Sequence, residues 1–145
     1  MTQEDKELLL KDLCARLPYH IRCKIWLKDG TTEEGLLDLE HNYGNVLQDA
    51  FYYNKIKDIK SYLRPMSSMT EEEKQELERL SEEYFGKALD KQIQESLSSS
   101  NKNESRILEY IASSVIIDWL NKHHFDYRGL IEKGLAIEAL EGMYK

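Results

Sequence analysis

The first stretch of the chain has its apolar residues at helical spacing. They are Leu9, Leu10, Leu13, Cys14 and Leu17. Thr2 suits the N-cap position, although Asp5 matches the capping box only loosely, because the box normally uses Glu or Gln. Pro18 disfavours helical conformation of the residue before it. The pattern predicts a helix over residues 3–16, with Cys14 on its apolar face.

From residue 20 onward the period changes to two, which is typical of a half-buried strand. One face of this strand carries Ile21, Cys23, Ile25 and Leu27, and the other carries His20, Arg22, Lys24, Trp26 and Lys28. Asp29-Gly30 predicts a hairpin turn. Residues 32–40 form the expected return strand, with Gly35 as a candidate bulge or bend.

Further short strands are predicted at 46–48 and 50–53, after a second turn at 42–45. Several short strands joined by tight turns indicate a small, strongly bent antiparallel sheet. An SH3-like or Sm-like barrel fits this size, and a simple curved meander is the alternative. The first region, residues 1–65, is therefore expected to be a helix plus a small β-barrel or sheet.

Residues 66–145 have a helical pattern. Thr70 and Glu73 form a capping box before a helix that Gly86 ends or bends, with continuation over 87–97 as the alternative. A polar loop is expected at 98–103, then a buried helix over 104–122, and then a short helix from Arg128 to Lys133, with Gly134 as its stop. The sequence predicts an α+β protein whose helical region, 66–145, packs on the first part as one compact unit.

The composition narrows the classes of protein further. The chain has 145 residues, is 41% hydrophobic and 32% charged, and carries a formal net charge of −7. Its apolar runs are too short for a membrane span, and its acidic start does not match a secretory signal. We expect a cytoplasmic protein with no membrane partner. Two cysteines without an export signal are expected to be inert thiols and not a disulfide.

Catalytic and metal-binding motifs have little support in the sequence. It contains neither a Walker A loop nor a Gly-x-Ser-x-Gly elbow. One histidine of the His123-His124 pair could bind a metal with Asp126 and with His20 or His41, but adjacent side chains diverge. We therefore expect no metal, no cofactor and no catalytic residues, and the sequence favours a non-enzymatic protein.

The His123-His124 turn has two further interpretations. In the structural one, His124 caps the preceding helix, Phe125 anchors the core, Asp126 pairs with Arg128 or caps the next helix, and Tyr127 lies across the sheet. In the functional one, part of the turn is a ligand or partner surface. Its residues would be His123, Asp126, Tyr127 and Arg128.

The polar face of the first strand offers a possible nucleic-acid face, formed by Arg22, Lys24, Trp26 and Lys28. Interleaved aromatic and basic side chains can stack on bases and contact phosphates. The acidic second half argues against the same role for itself, because nucleic-acid binders usually have a basic footprint. Coverage of Trp26 by a helix is the competing interpretation.

Four literal phrases carry a resemblance to a known family. They are MTQEDKELLLKDLCARLPY (1–19), YLRPMSSMTEEEK (62–74), DWLNKHHFDYRGLIEKGLAIEA (118–139) and EGMYK (141–145). The chain resembles small uncharacterised proteins encoded by phages, prophages and mobile elements of gut Bacteroidales. The resemblance implies a phage-associated accessory protein. We expect a protein-interaction module for a host or phage protein; the alternative is nucleotide or nucleic-acid binding through the sheet face, and a homodimer is compatible with either.

Overall fold

The structure of this chain, a computed structural model, describes residues 1–37, 54–98 and 113–144. It divides into two compact units, one formed by Met1–Met66 with Asn121–Lys145 and the other by Ser67–Leu120. The expected packing of both halves as one compact unit stays a prediction.

Helix α1 (Gln3–Arg16) begins at a complete capping box. The backbone N–H of Asp5 donates to Thr2 Oγ1 at 3.1 Å, and the backbone N–H of Thr2 donates to Asp5 Oδ2 at 3.1 Å. Aspartate therefore does here what glutamate does in most boxes. A 3₁₀ turn, Leu17–Tyr19, follows the helix, with proline in its first turn.

The buried face of α1 differs from the predicted one. Leu9, Asp12, Leu13 and Arg16 are buried, whereas Leu10 is 61% exposed and Cys14 is exposed. The prediction that Cys14 lies on the apolar face is wrong, because a charged pair occupies the buried stripe instead. The face of α1 that the apolar residues alone predict is therefore rotated about the helix axis relative to the face that is buried in the structure.

Strands β1 (Ile21–Leu27) and β2 (Thr32–Leu37) form the predicted antiparallel hairpin. Gly30 in its turn has a φ of 91°, a conformation that favours glycine. Gly35 pairs with Cys23 without a register shift, so the predicted bulge there is wrong. The irregularity lies instead between β1 and β3 (Ile56–Leu63), at Trp26/Leu27.

A fourth strand, β4 (Ala136–Glu138), pairs parallel to β3. The sheet has the order β2-β1-β3-β4 and is mixed, not purely antiparallel. The α+β class is confirmed, but over the described residues the sheet is open and not a closed SH3-like barrel. The strands predicted at 46–48 and 50–53, and the end of the strand predicted at 32–40, lie outside the described residues.

The core of the first unit lies on one face of this sheet. Its buried members come from α1, from all four strands and from the turns just before β4: Leu9, Leu13, Ile21, Cys23, Ile25, Leu37, Leu63, Leu130, Leu135 and Ala136. Because side chains alternate along β1, its even-numbered residues point to the other face of the sheet.

In the second unit, helix α2 (Glu71–Ser98) begins at the predicted Thr70–Glu73 capping box and continues past Gly86. Helix α3 is described over 113–122; residues 99–103 of the predicted loop and the earlier part of this helix lie outside the described residues.

Between 128 and 133 the chain forms turns, so the predicted short helix is wrong. Gly129 and Gly134, with φ of 71° and 70°, hold these turns in a left-handed conformation.

Candidate functional site

Two lysine side chains lie close to the ring of Trp26 on the sheet face that points away from the core, here called the outer face. The Nζ atoms of Lys24 and Lys60 lie 5.6 and 5.7 Å from the centroid of the indole ring. Both distances are within cation–π range. The register explains the arrangement, since Lys24 on β1 pairs directly with Lys60 on β3, and Trp26 pairs with Asp58.

A row of charged side chains crosses three strands of the outer face. Glu34 on β2 pairs with Lys24, and its Oε1 atom lies 3.9 Å from Lys24 Nζ. Like charges on directly opposed residues destabilise a sheet, and Glu34 offsets this for one of the two lysines. No carboxylate within the described ranges lies within ion-pair distance of Lys60. Among the described residues, Lys60 therefore lies close to Trp26 without a carboxylate partner of its own.

Glu34 is held in place by a second contact from the same face. Tyr62 Oη donates a hydrogen bond of 2.6 Å to Glu34 Oε1. Burial and this contact together raise the pKa of Tyr62 to about 12, so the phenol keeps its proton at neutral pH. Among the described residues of the outer face, the three cations Arg22, Lys24 and Lys60 exceed the two carboxylates, Glu34 and Asp58, by one, although the whole chain is acidic.

The structure brings together three of the four residues predicted for the nucleic-acid face. Arg22, Lys24 and Trp26 alternate on β1 and are half-buried. Lys28 does not join them: it lies in the turn after β1, where its backbone N–H donates to the Lys55 carbonyl at 2.8 Å. Sequence reasoning missed Lys60, because only the β1–β3 register places it beside the tryptophan.

The second candidate region is the turn after α3, where the predicted Asp126 and Tyr127 make internal contacts. Asp126 Oδ1 and Oδ2 accept hydrogen bonds of 2.9 Å from the backbone N–H groups of Leu130 and Ile131, so Asp126 caps a turn and not a helix. Tyr127 Oη donates to Asn121 Oδ1 at 3.0 Å. The hydroxyl of Tyr127 thus reaches the end of α3, and the expectation that its ring lies across the sheet stays a prediction.

The fourth predicted residue, Arg128, belongs to a buried ionic network with α1. Asp12 Oδ1 accepts from Arg128 Nη1 at 2.7 Å and from Arg16 Nη2 at 3.0 Å, while Oδ2 accepts from Arg16 Nε at 2.8 Å. Arg16 Nη2 also donates to the Phe125 carbonyl at 2.7 Å. The Tyr127 ring lies near both guanidinium groups, 5.6 Å from Arg16 Cζ and 4.7 Å from Arg128 Cζ. These contacts tie α1 to the turn.

His124 lies in the same region and adopts a left-handed backbone with φ of 62°. Its ring stacks on Tyr144 with 3.8 Å between centroids and 22° between planes. Burial, and then the charges of Arg16, His123 and Arg64, lower the pKa of His124 to about 4. The expected side-chain cap on the helix end is wrong, since the backbone N–H of His124 makes that bond, to the Asn121 carbonyl at 3.1 Å.

Tyr144 fastens the last segment of the chain to the sheet. Its hydroxyl donates to the Tyr62 carbonyl at 2.6 Å and accepts from the Arg22 N–H at 3.2 Å. The β1–β3 ladder described for Cys23 and Ser61 does not extend to this pair of residues. The phenol thus bridges the two strands where their backbone pairing ends.

The described residues give no direct support for metal or thiol chemistry. Across 1–37, 54–98 and 113–144, no three His, Cys, Asp or Glu side chains form a group that could hold a metal ion. His41, one of the suggested ligands, lies outside these ranges. Burial, and then the charge of Asp12, raise the pKa of Cys23 to about 12, so this thiol is a poor nucleophile at neutral pH.

Comparison with known proteins adds no further assignment. The chain matches no protein-family model, no curated protein and no solved structure. Among the helices of the described part of the chain, none is long and apolar enough to span a membrane.

Proposed function

We propose that this protein is a non-catalytic binding protein that holds a nucleotide or a short stretch of single-stranded nucleic acid on its outer face. The observation that carries the proposal is the closeness of two lysines, Lys24 and Lys60, to the ring of Trp26. An indole ring can stack on any base, and lysines beside it can neutralise the neighbouring phosphates. The proposal is limited to binding.

Three cations on the outer face set how strongly nucleic-acid binding should depend on salt concentration. If Arg22, Lys24 and Lys60 each neutralise one phosphate, log K should fall against log[salt] with a slope of about −2 for a single strand. Stacking of one base on an aromatic side chain contributes about 1–3 kcal/mol. The acidic remainder of the protein would repel a longer strand, which favours a short ligand over an extended nucleic acid.

Fluorescence anisotropy with labelled single-stranded DNA and RNA dodecamers, together with competition by ATP, tests the proposal directly. Lys60→Ala should weaken binding and reduce the salt slope by about 0.7. Trp26→Leu should weaken binding at least about fivefold and leave the salt slope unchanged. Lys11→Ala is the matched control, because Lys11 is an exposed lysine on α1, which packs on the opposite face of the sheet.

Two results would contradict the proposal. One is the absence of binding by all three probes at low salt. The other is equal weakening by Lys60→Ala and by Lys11→Ala, which would indicate attraction to the whole protein and not to the outer face.

A protein partner is the second candidate function. Leu36, which pairs with Arg22 on the outer face, is 41% exposed, and an exposed leucine suits a protein surface better than a phosphate. The resemblance to phage, prophage and mobile-element proteins supports this candidate, with a host or phage protein as the partner. Co-purification from the native host, with Leu36→Ser as the disrupting variant, tests it; loss of a partner should accompany that substitution and not Lys11→Ala.

A further inference from the structure

On the outer face, the sheet register places two lysines opposite each other and an aspartate opposite the tryptophan. Lys24 lies directly across from Lys60, and Asp58 lies directly across from Trp26. Opposed like charges destabilise a sheet, whereas a lysine opposed to an aspartate would stabilise it. Aspartate is also depleted in strands, yet Asp58 lies inside β3. Proteins break such local rules mostly at functional sites, so this part of the outer face is a candidate for recognition.

The carboxylate of Asp58 keeps most of its hydrogen-bonding capacity. Its Oδ1 atom accepts a hydrogen bond of 2.9 Å from the backbone N–H of Ile59, the next residue, and this bond restricts its orientation. Among the described residues, no cationic side chain forms an ion pair with Asp58. A carboxylate has about four acceptor positions on its two oxygens. Both oxygens of this half-buried side chain can therefore accept from a ligand.

Asp58 lies beside the ring on which the proposed function stacks a base. Directly opposed residues of an antiparallel pair have their Cβ atoms about 4.5–5.5 Å apart, and Asp58 and Trp26 are such a pair. Lys24 and Lys60 are the opposed pair two positions along the same strands, with their Nζ atoms 5.6 and 5.7 Å from the ring centroid. A ligand with its phosphate at the lysines and its base on the ring thus brings an edge of that base to the carboxylate.

The four bases differ in what they offer to a carboxylate. Guanine has two adjacent donors, N1–H and the N2 amino group, which match the two oxygens of one carboxylate. Adenine and cytosine have an amino group next to a ring nitrogen that accepts hydrogen bonds, and uracil has one N–H between two carbonyl oxygens. An acceptor that faces a carboxylate is repelled, whereas two parallel hydrogen bonds to a charged acceptor are strong and geometrically specific.

We propose that Asp58 makes the outer face selective for guanine, carried by a free nucleotide or by a short single strand. The carboxylate accepts from N1–H and from the N2 amino group, while the base stacks on Trp26 and the phosphate lies at Lys24 and Lys60. This inference rests on the proposed function, because it assigns a base to the same site. It adds a selectivity that stacking does not provide, since every base has a π-face.

NMR titration of the full chain, followed at the indole N–H of Trp26 at low and constant ionic strength, tests the proposal with GMP, IMP, AMP, CMP and UMP. GMP should bind about tenfold more tightly than AMP, CMP or UMP. IMP lacks only the N2 amino group of guanine, so its affinity should lie between those of GMP and AMP. The trinucleotide ApGpA distinguishes the two sources of the base: it should bind more tightly than GMP if the ligand is a strand, and no more tightly if it is a free nucleotide. Both results support the assignment of guanine.

Asp58→Asn is the test variant, because it keeps the size of the side chain and replaces one acceptor oxygen with a donor. The preference for GMP over AMP should fall to about twofold or less. Binding of AMP should not weaken, since the variant removes a negative charge near the phosphate. Glu33→Gln is the matched control, because it also removes one carboxylate but Glu33 is exposed and pairs with Ile25, which lies on the core side of the sheet. This control should keep the full preference.

Four results would overturn the proposal. Equal affinity for the four bases, or a preference for another base, would leave the outer face as a nucleotide site without selectivity for guanine. An unchanged preference in Asp58→Asn would mean that another residue recognises the base. Equal weakening of all nucleotides by this variant would mean that Asp58 only supports the sheet. The absence of binding by every nucleotide and by ApGpA would overturn the proposed function as well.

Discussion

Removing the charge of Asp12 should be among the most damaging substitutions in the described part of the chain. Asp12→Asn keeps the shape of the side chain but replaces one acceptor oxygen with an amide group that faces Arg16 and Arg128. Three hydrogen bonds of 2.7–3.0 Å lose their charged acceptor. Such bonds contribute about 1.5–3 kcal/mol each, but the loss is not additive. Breaking one partner of a buried ion pair costs about 3–5 kcal/mol, and we expect about 4 kcal/mol.

Urea denaturation, followed by far-UV circular dichroism, measures this change in the free energy of unfolding. Asp12→Leu/Arg16→Met should lose less stability than the sum of its single variants, with a coupling of at least about 2 kcal/mol, because it leaves no orphaned charge between these two residues. The matched control is Glu71→Gln, which breaks the exposed pair of Glu71 with Lys74, 2.9 Å apart. That control should cost no more than about 0.5 kcal/mol.

One result would refute the reasoning about this network. If Asp12→Asn lost less than about 1 kcal/mol, the Asp12 carboxylate would not be the buried counter-charge of Arg16. An equal loss in Asp12→Asn and Glu71→Gln would mean that burial adds nothing to the pair.

Three further predictions concern Tyr144, His124 and the cysteines. Tyr144→Phe should cost about 1–2 kcal/mol and speed amide exchange at Arg22, because the phenol no longer bridges the strands; unchanged exchange in NMR would contradict this. Because the pKa of His124 is lowered to about 4 in the folded state, the unfolded chain takes up the proton first. The free energy of unfolding should therefore be highest above pH ~6.5 and should fall as the pH drops towards 4, with His124 contributing at most about 3 kcal/mol to the loss. Urea denaturation across this range checks the direction, and His124→Asn should flatten the curve. In thiol labelling, Cys14 should react at once and Cys23 only at the rate of unfolding; rapid labelling of both would contradict their described exposure.

Local patterns in the sequence predicted the local elements well. The bounds of α1 and β1 follow from a capping residue, a proline and a clean change of period, all of which act within a few residues. The start of α2 follows in the same way from Thr70 and Glu73. These signals need no knowledge of what the element packs against.

The errors arise where the deciding contact is distant in the chain. Asp12 and Arg16 look like solvent-facing residues until Arg128 and the Phe125 carbonyl, more than a hundred positions away, are placed beside them. β4 has only three residues and forms through its pairing with β3, so no local period marks it.

On the outer face too, the sequence predicted the residues of a single strand but not their neighbours on the adjacent strand. The sequence indicated Arg22, Lys24 and Trp26 because they alternate on a single strand. It did not indicate Lys60, because side-chain neighbours on adjacent strands depend on register, which the sequence alone left undetermined.

The bridge between Arg64 and Phe125 bears on the order in which parts of the fold can form during synthesis. These two residues pair in parallel, and hydrogen bonds of 2.8 Å join the N–H of Arg64 to the His124 carbonyl and the N–H of Asp126 to the Arg64 carbonyl. Everything between them is synthesised before the pairing can form. During translation, this edge of β3 therefore cannot form its pairing until α2 and the turn after α3 have been made.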